Sequence, residues 1–153
     1  LDNMSNIKLN KIFKTVCIAS DHAGFNLKED IKNFLIDKQV SIFDIGPFTD
    51  KSVDYPDYAK RVGNRIRLKK SDVGILVCGS GIGMAISANK IKSIRAALCY
   101  NLKSTRLSRQ HNNANIIALG SRLTKKKLSF KLVEVFLKTK FEGGRHLRRV
   151  KKI

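Results

Sequence analysis

The spacing of apolar residues changes several times along this chain, and each change marks an element. Thr15-Val16-Cys17-Ile18-Ala19 is an unbroken apolar and β-branched run and predicts a buried strand. Over residues 24–37 the period lengthens to 3.6, with Phe25, Leu27, Ile31, Phe34 and Leu35 on one face, and predicts a helix. Residues 40–45 predict a second strand, closed by Gly46-Pro47. Pro56 suits the first turn of a helix ending near Leu68. A third strand over 73–77 precedes a helix over 84–91, and strands over 94–98 and 115–119 flank a helix over 102–109. Helices over 125–138 and 145–150 finish the chain. The last three strands are near-continuous apolar runs, the mark of a parallel sheet covered on both faces, so the pattern predicts a single α/β domain.

Composition agrees with that reading and narrows it. The chain has 153 residues, 42% hydrophobic and 28% charged, which suits one globular domain. No apolar run approaches the roughly 20 residues needed to cross a bilayer, so no membrane span is expected. Residues 1–15 lack the apolar segment of a secretory signal, and Lys8, Lys11 and Lys14 without arginine make a poor transit peptide. Leu1 ahead of Met4 points to an alternative start codon or to Met4 itself as the first residue. Cys17, Cys78 and Cys99 cannot all pair and show no metal-ligand spacing, so neither a disulfide framework nor a zinc site is expected, and a reducing, cytoplasmic location is.

Charge adds a polarity. The net charge is +19, but residues 1–90 carry 14 basic and 10 acidic side chains, residues 91–120 five and none, and residues 121–153 twelve and two. Fifteen of the 19 net charges therefore lie in the last 63 residues. Such a concentration attracts phosphate, whether on a metabolite, a nucleic acid or a membrane surface. Most of the lysines read as ordinary surface charge.

In a parallel α/β sheet ligands bind at the carboxyl ends of the strands, which directs attention to three segments. After the third strand comes Cys78-Gly79-Ser80-Gly81-Ile82-Gly83-Met84. Glycines at alternate positions let the backbone pass close to a ligand, and the free N–H groups of such a turn favour an anion. The spacing is neither that of a dinucleotide fingerprint nor that of a Walker loop. A cysteine at the strand end, facing this turn, is expected to be more acidic than a free thiol and able to act as base or nucleophile; a buried, inert thiol is the alternative. After the first strand, Asp21-His22 reads either as a helix cap or as a pair of ligand contacts. His111-Asn112, before the fifth strand, is open in the same way. Near the C-terminus, Arg145 and Arg149 are four residues apart on one helical face and could form a forked phosphate clamp or a solvated tail.

Taken together, the segments resemble the type B ribose-5-phosphate isomerase family, which includes the galactose-6-phosphate isomerase subunits. The resemblance is carried by Ser20-Asp21-His22-Ala23-Gly24-Phe25, Asp54-Tyr55-Pro56, Cys78 through Met84, Ala88-Asn89-Lys90, Ser108-Arg109-Gln110-His111-Asn112, Leu119-Gly120-Ser121-Arg122 and Glu142-Gly143-Gly144-Arg145-His146 with Arg149-Val150, in family order from about Lys14. It implies a three-layer, Rossmann-like domain over 14–153 behind an N-terminal extension over 1–13. It also implies a sugar-phosphate isomerase of the non-oxidative pentose phosphate pathway, working without metal or organic cofactor. By resemblance, Cys78 is the base that moves a proton through a cis-enediolate, with backbone N–H groups of Gly79, Gly81, Ile82 and Gly83 as oxyanion donors and Ser80, threonine in many members, as a relay. His111 becomes the ring-opening acid, Asp21 and Asn112 position hydroxyls, Tyr55 lines the pocket, and His22, Arg122, Arg145 and Arg149 hold the phosphate. One family branch has a glutamate base where this chain has Met84, so Cys78 places the chain in the thiol branch. The resemblance further implies a homodimer or homotetramer with active sites shared between subunits, the C-terminal arginines reaching a neighbour's pocket.

Two other functions are compatible with the sequence. One is the same chemistry on a six-carbon substrate such as galactose 6-phosphate or allose 6-phosphate. The other is a basic nucleic-acid-binding protein, against which stand the absence of a recognition motif and the core-like spacing of the eight Phe and three Tyr residues. No specific nucleic-acid partner is expected.

Overall fold

Successive side chains of a strand point to opposite faces of a sheet, and here both faces of the central strands are apolar. The computed structural model describes residues 8–153. Five strands, β1 (Val16–Ser20), β2 (Ile42–Gly46), β3 (Val73–Cys78), β4 (Ala96–Leu98) and β5 (Ile116–Gly120), form one parallel sheet in the order β2-β1-β3-β5-β4. The helices are α1 (Phe25–Asp37), α2 (Tyr55–Arg67), α3 (Ile82–Ala88), α4 (Leu102–Gln110), α5 (Lys126–Lys138) and α6 (Arg145–Val150).

Val16, Ile18, Ile75, Val77, Ile117 and Leu119 pack against Leu27, Ile31 and Leu35 of α1 and Leu132, Val133 and Phe136 of α5. On the other face Cys17, Ala19, Leu76, Ile116 and Ala118 pack against Ala59, Val62 and Ile66 of α2 and Met84 and Ala88 of α3. The result is three layers with two cores. Each fully buried aliphatic or aromatic side chain contributes about 1.5–3 kcal/mol relative to an exposed one. Strands β1, β3 and β5 lie side by side at the centre, so the loops after them emerge next to one another.

The predicted elements are all present, with shifted ends. Helix α3 begins two residues earlier than its apolar period predicts, because Gly81 takes a left-handed conformation (φ +80°) and starts the helix there. It stops at Ala88 because the Asn89 side chain leaves to bond both backbone groups of Ala96, at 2.7 and 2.9 Å. Residues 8–13 are tied down rather than free: Leu9 N–H donates to the Lys38 carbonyl and Ile12 N–H to that of Leu137, both at 3.0 Å, and Leu9 is buried.

A lysine in the core runs against the hydrophobic pattern. Lys28, on the inner face of α1, is completely buried. Its ammonium donates to both carboxylate oxygens of Asp44 at 2.8 Å, pairs with Glu29 at 3.0 Å, and lies over the rings of Phe25 and Phe48. Desolvation raises the Asp44 pKa, but donation from Lys28, Lys32 and the Gly46 N–H outweighs it and holds the carboxyl below its ordinary value. This ion pair joins α1 to β2.

Candidate active site

At the carboxyl ends of the central strands lies a cavity of about 540 Å³, lined by Asp21, Tyr55, Cys78, Gly79, Ser80, Ile82, Gly83, Ile86, Arg122 and Leu123. Cys78 is the last residue of β3, and Gly81 N–H donates to its Sγ at 3.1 Å. Only 4% of Cys78 is exposed. The other two cysteines are unlike it. Burial pushes the Cys17 thiol up to about 11 and also raises that of Cys99, so both are inert core residues. Cys78 alone combines a cavity with a backbone donor on its sulfur.

The turn after Cys78 is held from three sides. Ser80 Oγ accepts from Ile82 N–H at 3.2 Å, and the Ser80 carbonyl accepts from the Tyr100 hydroxyl at 3.1 Å. From β5, Ser121 N–H donates to the Cys78 carbonyl at 2.8 Å and Arg122 N–H to that of Gly79 at 3.0 Å. These bonds place the Arg122 side chain against Gly79, with its charge at the cavity rim. Tyr55, the first residue of α2, lays its ring over Gly83, where a Cβ would meet Cε2 at 2.7 Å.

The loop after β1 is short and equally fixed. Asp21 N–H donates to the Val77 carbonyl at 3.1 Å, and its carboxylate accepts from Gly24 N–H at 2.9 Å. Ser121 Oγ bonds the Ala23 carbonyl at 2.8 Å. Asp21 thus both caps the entry to α1 and faces the cavity. His22 does not line it: its Nδ1 accepts from Val53 N–H at 3.2 Å and ties the loop before α2 to the loop after β1.

The remaining expected site residues lie elsewhere. His111 follows α4 and Asn112 precedes β5, so both stand at the amino end of the strand whose carboxyl end carries Arg122. Five residues of strand separate the two ends, about 16 Å. Arg145 and Arg149 project from α6 into solvent near His111, and none of these four residues lines the Cys78 cavity. Within one chain the expected site is therefore two groups on opposite ends of the sheet.

This second group contains residues that spacing does not single out. Glu142 N–H donates to the Gln110 carbonyl at 3.1 Å and docks the segment before α6 onto the end of α4. The imidazoles of His111 and His146 stack, with centroids 4.2 Å apart and planes at 13°. Glu142 Oε2 lies 3.5 Å from His146 Nε2 and 4.0 Å from His111 Nε2. Desolvation, then the charges of His111, Arg145 and Arg149, lower the His146 pKa, while Glu142 opposes them. Arg109 organises the turn beneath. Buried between Phe13 and Phe136, it donates to Asn113 Oδ1 and to the carbonyls of Ala114 and Thr139. Desolvation lowers its pKa to about 10, still above neutrality.

The cavity can hold an anion on backbone N–H groups and Arg122 beside a sulfur base, an arrangement suited to moving a proton next to a carbonyl. Among the described residues no helix is long and apolar enough to cross a membrane.

The chain is 41% identical over 140 residues to the ribose-5-phosphate isomerase B of Escherichia coli, covering 92% of this chain and 94% of that one. Its fold matches a ribose 5-phosphate isomerase of Thermotoga maritima with a TM-score of 0.88 and 51% identity, over 90% of this chain and 95% of that one. It matches the ribose-5-phosphate isomerase B of Mycoplasma genitalium, solved with ribulose-5-phosphate bound, with a TM-score of 0.85 and 44% identity over 90% and 92% of the two chains. The sequence pattern of the Ribose/Galactose Isomerase family covers residues 16–153, and with it the whole sheet and both groups of residues; this chain belongs to that family.

Proposed function

We propose that this protein interconverts D-ribose 5-phosphate and D-ribulose 5-phosphate with Cys78 as the base, in the cytoplasm and without metal or organic cofactor. The observation that carries the reading is the Cys78 sulfur in a cavity that it shares with the backbone turn following it and with the Arg122 guanidinium, which lies against Gly79. The Cys78 thiolate removes the proton from C2 of the open-chain aldose, and the electron pair moves to O1, giving a cis-enediolate held by the N–H groups of Gly79 and Gly83, those of Gly81 and Ile82 being engaged by Cys78 Sγ and Ser80 Oγ. Ser80 relays the O2 proton to O1, and the Cys78 thiol returns its proton to C1, leaving the ketose. His111 opens the furanose ring, Asp21 and Asn112 position hydroxyls, and Tyr55 lines the pocket. Arg122, Arg145 and Arg149, with His22 at the margin, hold the phosphate.

That division of labour requires two chains, since His111 and the α6 arginines cannot reach the Cys78 cavity of their own subunit. A second copy, in a homodimer or homotetramer, brings them to it. The cavity mouth supports this reading: Tyr55, Ile82, Ile86 and Leu123 surround it at 42%, 46%, 58% and 61% exposure. Such an apolar ring around a polar site is what a partner subunit covers.

The test is conversion of ribose 5-phosphate by the purified chain in the presence of EDTA. Turnover without metal is expected, and Cys78→Ala should reduce kcat by about 10²- to 10⁴-fold. A variant with near-normal turnover would remove Cys78 from the mechanism. An inactive wild type that turns over galactose 6-phosphate or allose 6-phosphate would move the assignment to six-carbon substrates.

A further inference from the structure

Two of the chain's three histidines and one glutamate meet where the segment before α6 docks onto the end of α4. One ring nitrogen each of His111 and His146 and a Glu142 carboxylate oxygen all lie within 4.8 Å of one another. Two imidazole nitrogens and one carboxylate oxygen form a donor set typical of zinc with a coordination position left open, whereas magnesium and calcium prefer all-oxygen sets. A tetrahedral zinc ion keeps its ligand atoms about 3.4 Å apart, given bond lengths of about 2.0–2.2 Å. The Glu142–His146 separation of 3.5 Å already meets that spacing, the 4.0 Å from Glu142 to His111 exceeds it, and because the two imidazoles stack with planes at 13°, the His111 ring must swing out of the stack before both in-plane lone pairs reach one ion. The parts that must move are the free ones: Glu142 and His111 have side chains 49% and 37% exposed, while His146 is held at 11%. The backbone beneath is fixed by the Glu142 N–H bond to Gln110 and by the Arg109 network.

We propose that His111, Glu142 and His146 form an inhibitory binding site for zinc or a similar borderline divalent ion. The ion takes a ring-nitrogen lone pair of His111, the side chain that the proposed reaction uses to open the sugar ring, so the bound form is inactive. The inhibitory half rests on that reading of His111; the binding half does not. Arg145 and Arg149 flank the cluster with positive charge and weaken the site, which suits reversible occupancy rather than a resident metal.

Titration of the purified full chain with Zn²⁺ and Co²⁺ tests both halves. One ion per chain is expected, the cobalt form showing visible d–d bands without a sulfur-to-cobalt charge-transfer band. Glu142→Gln and His146→Asn should each weaken binding by at least about tenfold while far-UV circular dichroism stays unchanged. Zn²⁺ should inhibit the wild-type isomerase, with EDTA restoring it. Unchanged binding in both variants overturns the site, as does a cobalt–sulfur band that disappears in Cys78→Ala. Stoichiometric zinc bound at the cluster with turnover unaffected overturns the inhibitory role and counts against His111 as the ring-opening acid.

Discussion

The two ends of the sheet are built on different terms. At the carboxyl end the functional groups sit on strand termini and on backbone locked by bonds between three adjacent loops, and Gly81 has Leu98 and Leu119 pressed against it. At the amino end they sit on helix termini and on a segment before α6 where a Cβ added at Gly143 or Gly144 would meet nothing within 4 Å. The first end is rigid backbone around a cavity; the second presents His111 and two guanidiniums outward. In the proposed reaction each end is useless without the other, and only a second chain can bring them together.

Mixing two dead variants would break or sharpen this contrast most strongly. Cys78→Ala and His111→Ala homodimers should each be inactive. After subunit exchange they should recover up to about a quarter of wild-type turnover, since half of randomly mixed dimers pair one of each and carry one intact site. No recovery, with exchange verified by mass spectrometry, would return both groups to separate functions.

Next in size is the support under the carboxyl end. Lys28→Met leaves Asp44 with Lys32 and the Gly46 N–H only and should cost about 3 kcal/mol in urea unfolding. The same carboxyl sets an acid limit. Because its folded pKa is below the unfolded value, its contribution is present above the unfolded pKa, near 4, and is lost as pH falls through the lower folded value. Wild type should lose stability in that window, and Lys28→Met should lose less of it.

Smaller still is a pair of glycine substitutions. Gly81→Ala and Gly143→Ala both place a side chain at positive φ, +80° and +67°, at about 1–2 kcal/mol. Gly81→Ala also drives its Cβ to 2.9 Å from the Leu119 carbonyl carbon, so it should cost roughly 1–3 kcal/mol more in thermal unfolding. Equal losses would contradict the difference in rigidity. The mildest expectation is Arg145→Ala. Removing a charge-assisted phosphate contact should raise KM about tenfold and leave kcat nearly unchanged. A loss confined to kcat would place Arg145 at the reacting carbons instead.

What can be read from the sequence divides along the same line. Strands β1, β3 and β5 are legible because burial on both faces forces continuous apolar runs, and the cavity follows because ligand loops succeed such strands. The candidate residues can be picked out one by one, but not their placement. His111 and His146 are 35 residues apart, and nothing in their spacing says that their rings stack. Lys28 is hidden for a related reason: a lysine in a helical pattern reads as solvated, and its partner Asp44 becomes a neighbour only once β2 pairs with β1. The end of α3 escapes the periodicity because the Asn89 bonds to Ala96 are tertiary and leave no trace in it.

The short loop after β1 has a consequence for descent with modification. Bonded to β3 through Asp21 and Val77 and to the loop after β5 through Ala23 and Ser121, it cannot lengthen without tearing both contacts. A lineage of such proteins that acquires a longer substrate would find the room instead at Ile86 or Leu123, exposed apolar side chains of the lining that hold neither the base nor its donors. Changes in diet would be recorded at those two positions before any other.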